Sequence, residues 1–110
     1  MKVKVVQEHL GEGKFPTFKK GTAVAMQQKA DSHFLHWHEC EIEGHQTFVP
    51  DIFVQDGVLM RDYNPTELVQ NAGDVLEIKE IVYAWLLAIN DSGAEGWIPA
   101  EVVVSAIPLE

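Results

Sequence analysis

A chain of 110 residues with a formal net charge of −9 has room for one average domain or two very small ones. Eight Lys and Arg against seventeen Asp and Glu leave no basic cluster for a phosphate backbone, which argues against nucleic acid as a partner. Cys40 is the single cysteine, so no internal disulfide can form, and no apolar run approaches the ~18–20 residues of a membrane-spanning helix.

Residues 2–7 alternate loosely and read as a strand with Val3 and Val5 on one face. Their charge and shortness do not suit a signal peptide, so a cytoplasmic location is the expectation, and one cysteine fits a reducing compartment. Residues 8–20 carry Gly11, Gly13 and Pro16 without periodicity and read as a long loop, pinned by Phe15 and Phe18. Gly21 marks a turn, and residues 22–26 read as a strand. Residues 33–42 form the longest strand candidate, with Phe34 and Trp37 as its aromatics. A turn at Glu43-Gly44 leads to a strand over 46–49 and a one-turn corner at Pro50-Asp51-Ile52-Phe53.

The plan then recurs. Residues 57–60 read as a strand, 61–72 as a second long loop, and 74–80 and 84–89 as strands. Asn90-Asp91-Ser92-Gly93 is a turn signal, and Gly96-Trp97-Ile98-Pro99-Ala100-Glu101-Val102-Val103 repeats the strand–proline–strand order of residues 47–54. Gly21 pairs with Gly73 at an offset of 52, Phe34 with Trp85 at 51, and Pro50 with Pro99 at 49. A drift of so few residues, each shift falling in a loop, indicates a duplicated unit. The expected fold is all-β: two small barrels in tandem, residues 1–55 and 56–110, joined by Val54-Gln55-Asp56-Gly57 as a short linker and packed as one body. On that division the first half carries −1 and the second −8.

Four motifs of the second half, in order, resemble the SH3 family. Arg61-Asp62-Tyr63 is similar to its first-strand motif. Glu67-Leu68 followed by Gly73-Asp74-Val75-Leu76-Glu77-Ile78 is similar to the end of its long loop and the next strand. Trp85-Leu86-Leu87-Ala88 is similar to its tryptophan strand, and residues 96–103 to its closing strand, 3₁₀ turn and final strand. The first half resembles it through Phe18-Lys19-Lys20-Gly21, Phe34, and Phe48-Val49-Pro50 with Val54. The resemblance implies tandem SH3-like domains that bind an extended, proline-containing peptide on an aromatic groove. It implies groove roles for Tyr63, Trp85 and Pro99, partial exposure of Trp97 beside them, and pairing of Asp62, Glu67 and Glu80 with a basic ligand residue. Arg61 and Val102 stand where the family has tyrosines. In the first half His9 stands near a tyrosine position, Phe34 replaces the tryptophan, Phe53 replaces the last tyrosine, and Pro50 keeps its place.

A second class of function rests on His36, His38 and Cys40, which alternate along one strand face with His45 across the turn; two imidazoles and a thiolate suit Zn²⁺ or Cu. A solvated strand face with scattered histidines, or a pH-sensitive surface, is the competing reading, and no cofactor is implied. No nucleophile elbow or phosphate loop is present, so the chain reads as a non-enzyme. The expected partner is a protein or peptide, proline-containing or basic, with neither nucleic acid nor membrane involved. A homodimer, or a structural module with diverged grooves, stays open.

Overall fold

The computed structural model describes residues 1–11, 14–26 and 36–106. Phe34 and His33, both named above, lie outside these residues. Among the described residues the protein is all-β: ten strands and two 3₁₀ turns, without an α-helix. In chain order they are β1 (Lys2–Val5), β2 (Ala25–Met26), β3 (Trp37–Ile42), β4 (His45–Pro50), β5 (Val54–Gln55), β6 (Val58–Leu59), β7 (Val75–Val82), β8 (Trp85–Ile89), β9 (Glu95–Pro99) and β10 (Val103–Ser105). The 3₁₀ turns η1 (Asp51–Phe53) and η2 (Ala100–Val102) follow the two strand-ending prolines. Pro50 and Pro99 have no N–H to extend a ladder, and each starts its turn from an extended backbone near φ −70°.

The chain divides into two compact units: unit 1 is Met1–Lys14 with Thr66–Glu110, and unit 2 is Phe15–Pro65. This differs from the sequential division at 55/56. The cause is visible at Asp56 and Gly57. Both have positive φ, 52° and 77°, and they join Gln55 directly to its cross-strand partner Val58. A two-residue turn of this type closes a hairpin, so the segment expected to link two domains instead folds β6 back onto β5. Charge moves with the boundary. Unit 1 holds four lysines against ten acids, −6, and unit 2 three lysines and Arg61 against seven acids, −3.

Unit 1 is a five-stranded sheet in the order β10-β1-β7-β8-β9, every neighbouring pair antiparallel. The N-terminal strand β1 lies between β10 and β7, pairing Val5 with Val103 and Lys4 with Val75. Its alternation, exposed lysines and buried Val3 and Val5, matches one buried sheet face. That face carries a core of Val3, Val5, Leu68, Leu76, Leu86, Ala88, Ile98 and Val102. A bulge between Ile78 and Glu80 shifts the register of β7 against β8.

Unit 2 has a three-stranded sheet, β2-β3-β4, and the β5-β6 hairpin. β3 and β4 join through Glu43-Gly44, again with both φ positive (49° and 81°), as the turn signal predicts. The longest strand expected, 33–42, is described only from His36, its strand starts at Trp37, and β7 is longer. Among the described residues none of the sheets closes into a barrel. No helix among the described residues is long and apolar enough to cross a membrane.

Candidate functional site

The two units can be aligned on their ladders. Trp85 opens β8 opposite Pro99, which ends β9; Trp37 opens β3 opposite Pro50, which ends β4. The amide after each proline donates across the same gap, Ala100 N–H to the Ala84 carbonyl (2.8 Å) and Asp51 N–H to the His36 carbonyl (2.9 Å). Trp37, not Phe34, is therefore the structural counterpart of Trp85. The two positions differ in one respect. Trp85 is half-buried, whereas Trp37 is 4% exposed.

In unit 1, Trp85 meets His9 edge-on, with ring centroids 6.0 Å apart and planes at 75°. His9 donates from Nε2 to Glu67 Oε1 at 2.8 Å, and both side chains are largely shielded from solvent. The backbone holds both partners. His9 and Gln70 exchange N–H···O bonds of 3.0 and 2.9 Å. Glu67 runs parallel to Trp97, between the Trp97 N–H to Thr66 carbonyl bond (3.0 Å) and the Leu68 N–H to Trp97 carbonyl bond (2.9 Å). Residues 66–68 thus cover the outer edge of β9. They come so close that a Cβ on Gly96 would meet the Thr66 carbonyl oxygen at 2.9 Å, so only glycine fits there. Behind this layer Gln70 is buried with both ends satisfied, donating to Asp74 Oδ2 (2.8 Å) and accepting from Asn90 Nδ2 (2.9 Å).

The residues proposed for one groove are distributed over both units. Trp85, Pro99 and Glu67 gather in unit 1 around His9. Pro99 is buried and supports the tryptophan rather than facing solvent. Trp97, expected to be partly exposed, is 3% exposed and belongs to the interior. Glu80 is half-buried in β7 opposite Leu87. Tyr63 lies in unit 2, 4% exposed; its hydroxyl donates to the Phe48 carbonyl at 2.6 Å and its ring packs edge-on against Phe53 at 5.5 Å. It is a core residue of that unit. Pro50 and Phe53 are buried as well, so this face of unit 2 is closed. Arg61 stacks its guanidinium over Phe53 at 4.3 Å from the centroid.

Asp62 also has a structural task. Its Oδ1 accepts the Lys20 N–H at 2.8 Å, and this bond, aided by the nearby Lys19 ammonium, holds the exposed carboxyl below its ordinary value. It ties the 19–20 loop to the 61–63 segment.

The proposed metal ligands do not converge. Cys40 points inward, fully buried, and burial pushes its thiol up to about 12, which opposes the thiolate a metal needs. His36 and His38 both donate to one carboxylate oxygen, Asp51 Oδ2, at 2.9 and 3.3 Å. His36 reaches it from a left-handed backbone (φ 71°). His45 packs instead near Phe15 and Phe18, at 6.0 and 5.6 Å. Among the described residues no group of three or more His, Cys, Asp or Glu is arranged to hold a metal ion. The expectation fails because β3 turns its Cys40–Ile42 end inward, so residues at i, i+2 and i+4 do not share solvent exposure.

Two residues matter here that the sequence underplays. His9 is noted only as standing near a tyrosine position, and its partner Trp85 lies 76 positions away. Asp51 carries no metal-ligand spacing, and only the η1 turn brings it beneath both histidines. No protein-family model matches the chain, and no curated protein or solved structure matches it either.

Proposed function

We propose that the protein is a non-catalytic binding module of two SH3-like units, in which unit 1 presents the ligand face and unit 2 is structural. Trp85 carries the reading. It is a partly exposed indole at a strand end, backed by Pro99 and braced by a histidine that is itself held by Glu67. A flat, pre-positioned aromatic costs little side-chain entropy when a ligand stacks on it. A proline-containing segment is already extended, so it too loses little on docking.

The order of unit 1 supports the resemblance. A first strand, a long loop, a strand after Gly73, the tryptophan strand, a closing strand ending in Pro99, a 3₁₀ turn and a final strand follow one another as in the family. The net charge of −6 favours a ligand carrying Lys or Arg and increases its encounter rate. The closed counterpart in unit 2, with Trp37, Pro50, Phe53 and Tyr63 all buried, favours a supporting role for that unit.

A peptide array of proline-containing basic sequences, followed by titration of the best binder, tests this. Trp85→Ala should weaken binding at least about tenfold, the loss of one interface aromatic, with an unchanged circular dichroism spectrum. A folded Trp85→Ala protein that binds as well as the parent would exclude the face. Unfolding would instead reassign Trp85 to the core; the milder Trp85→Phe then repeats the test in a folded protein.

A further inference from the structure

A set of backbone hydrogen bonds recurs in both units, and it reveals which strand belongs to which repeat. In unit 1, Val5 N–H donates to the Asp74 carbonyl (2.8 Å) and the Val5 carbonyl accepts from Gly73 N–H (2.7 Å). In unit 2, Leu59 N–H donates to the Thr22 carbonyl (2.9 Å) and the Leu59 carbonyl accepts from Gly21 N–H (2.8 Å). Val6 N–H reaches the carbonyl of Val102, the last residue of η2, and Met60 N–H reaches that of Phe53, the last residue of η1 (2.8 and 2.7 Å). His9 and Gln70 exchange paired bonds, and so do Tyr63 and Phe18.

Gly21, Thr22 and Phe18 stand in the first repeat where Gly73, Asp74 and Gln70 stand in the second, at a constant offset of 52. The strand residues run the other way. Val5, Val6 and His9 of the first repeat serve the second repeat's framework, and Leu59, Met60 and Tyr63 of the second serve the first's, at a constant offset of 54.

We infer that the two repeats have exchanged their first strands within one chain, enforced by the two-residue turn Asp56-Gly57, so that the face at Trp85 is completed by His9 of the first repeat and not by Tyr63 of the second. The turn decides the outcome locally. With Gln55 paired to Val58, β6 has no slack to leave β5, and its own repeat is left without a first strand. The N-terminal strand has the same alternating pattern, and it fills the vacancy between β10 and β7. A hinge shortened until it must fold back is a general route to strand exchange. The consequence for recognition is that an imidazole, held by Glu67, forms the wall beside Trp85 where a phenol would stand without exchange.

Paired cysteines on exposed positions distinguish the two connectivities in the full chain, without reference to any ligand. Lys4 and Val75 are exposed partners. They lie between the hydrogen-bonded position at Val5–Asp74 and the next one along the ladder, so they form a close, non-hydrogen-bonded pair suited to a disulfide. Ala23, exposed and bridged to Val58, is the equivalent of Val75 in the first repeat. The double variant Lys4→Cys/Val75→Cys should form an intrachain disulfide in monomeric protein, located by peptide mass mapping, and Lys4→Cys/Ala23→Cys should not. The reverse pattern, or a Lys4–Val75 bond found only between chains or not at all, overturns the exchange. A second readout follows the site itself. His9→Ala should move the Trp85 indole N–H resonance, and Tyr63→Phe should leave it in place; the opposite result would return Tyr63 to the Trp85 face.

Discussion

Tyr63 shows how one side chain changes meaning with its surroundings. Its position in an aromatic–acid motif suggests a groove hydroxyl, yet its oxygen is spent on the Phe48 carbonyl and its ring on Phe53. Tyr63→Phe removes the donor and leaves a shielded carbonyl unpaired, which should cost about 1–3 kcal/mol in denaturant unfolding while ligand binding at Trp85 is unchanged. Cys40 is likewise a core residue. With its thiol pushed up from 9.0 to about 12, the neutral form is the one the fold favours. The sign follows directly: the contribution is complete below about 9 and is lost as pH rises from there toward about 12. Native protein should therefore resist iodoacetamide at pH 8 and react once urea exposes the thiol; rapid native alkylation would show an accessible thiolate.

At the scale of elements, the turns were the most legible part of the sequence. Glu43-Gly44 and Asn90 to Gly93 are turns as read, and both prolines end strands and start 3₁₀ turns. Asn90 caps its own turn, its Oδ1 accepting from Ser92 N–H and Ala94 N–H at 3.1 and 2.9 Å. At Asp56-Gly57 the duplication suggests a domain boundary, yet this strong hairpin dipeptide between Val54-Gln55 and Val58-Leu59 folds the chain back on itself. The metal expectation at His36, His38 and Cys40 fails for a related reason. Period-two alternation assumes a flat strand, and β3 buries Trp37 at one end and Cys40 and Ile42 at the other. The close approach of residues 66–68 to β9 is invisible to any local pattern, although Gly96 hints at it. Gly96→Ala should push a methyl group into the Thr66 carbonyl, destabilise unit 1 by about 1–3 kcal/mol and displace Glu67 from His9. Unchanged thermal stability would mean that the 66–68 segment yields freely.

For the molecule as a whole, the sequence shows the all-β class, because it is carried by repeated local signals. It did not show how the repeats are connected in space, since linear order is silent on which first strand enters which sheet. That one fact moves the boundary, shifts the charge division to −6 and −3, and assigns Tyr63 and Trp85 to different units. What remains of the proposed groove is smaller than the family pattern implies, and it is localised: His9, Glu67, Trp85 and Pro99 in unit 1. The most direct measurement is a ¹⁵N-resolved NMR titration of the full chain with the best proline-containing basic peptide. The account predicts saturable shifts centred on the Trp85 indole and the amides of His9, Glu67 and Ala100, with the buried face around Trp37 and Tyr63 silent. Shifts centred on unit 2, or none at Trp85, would contradict it.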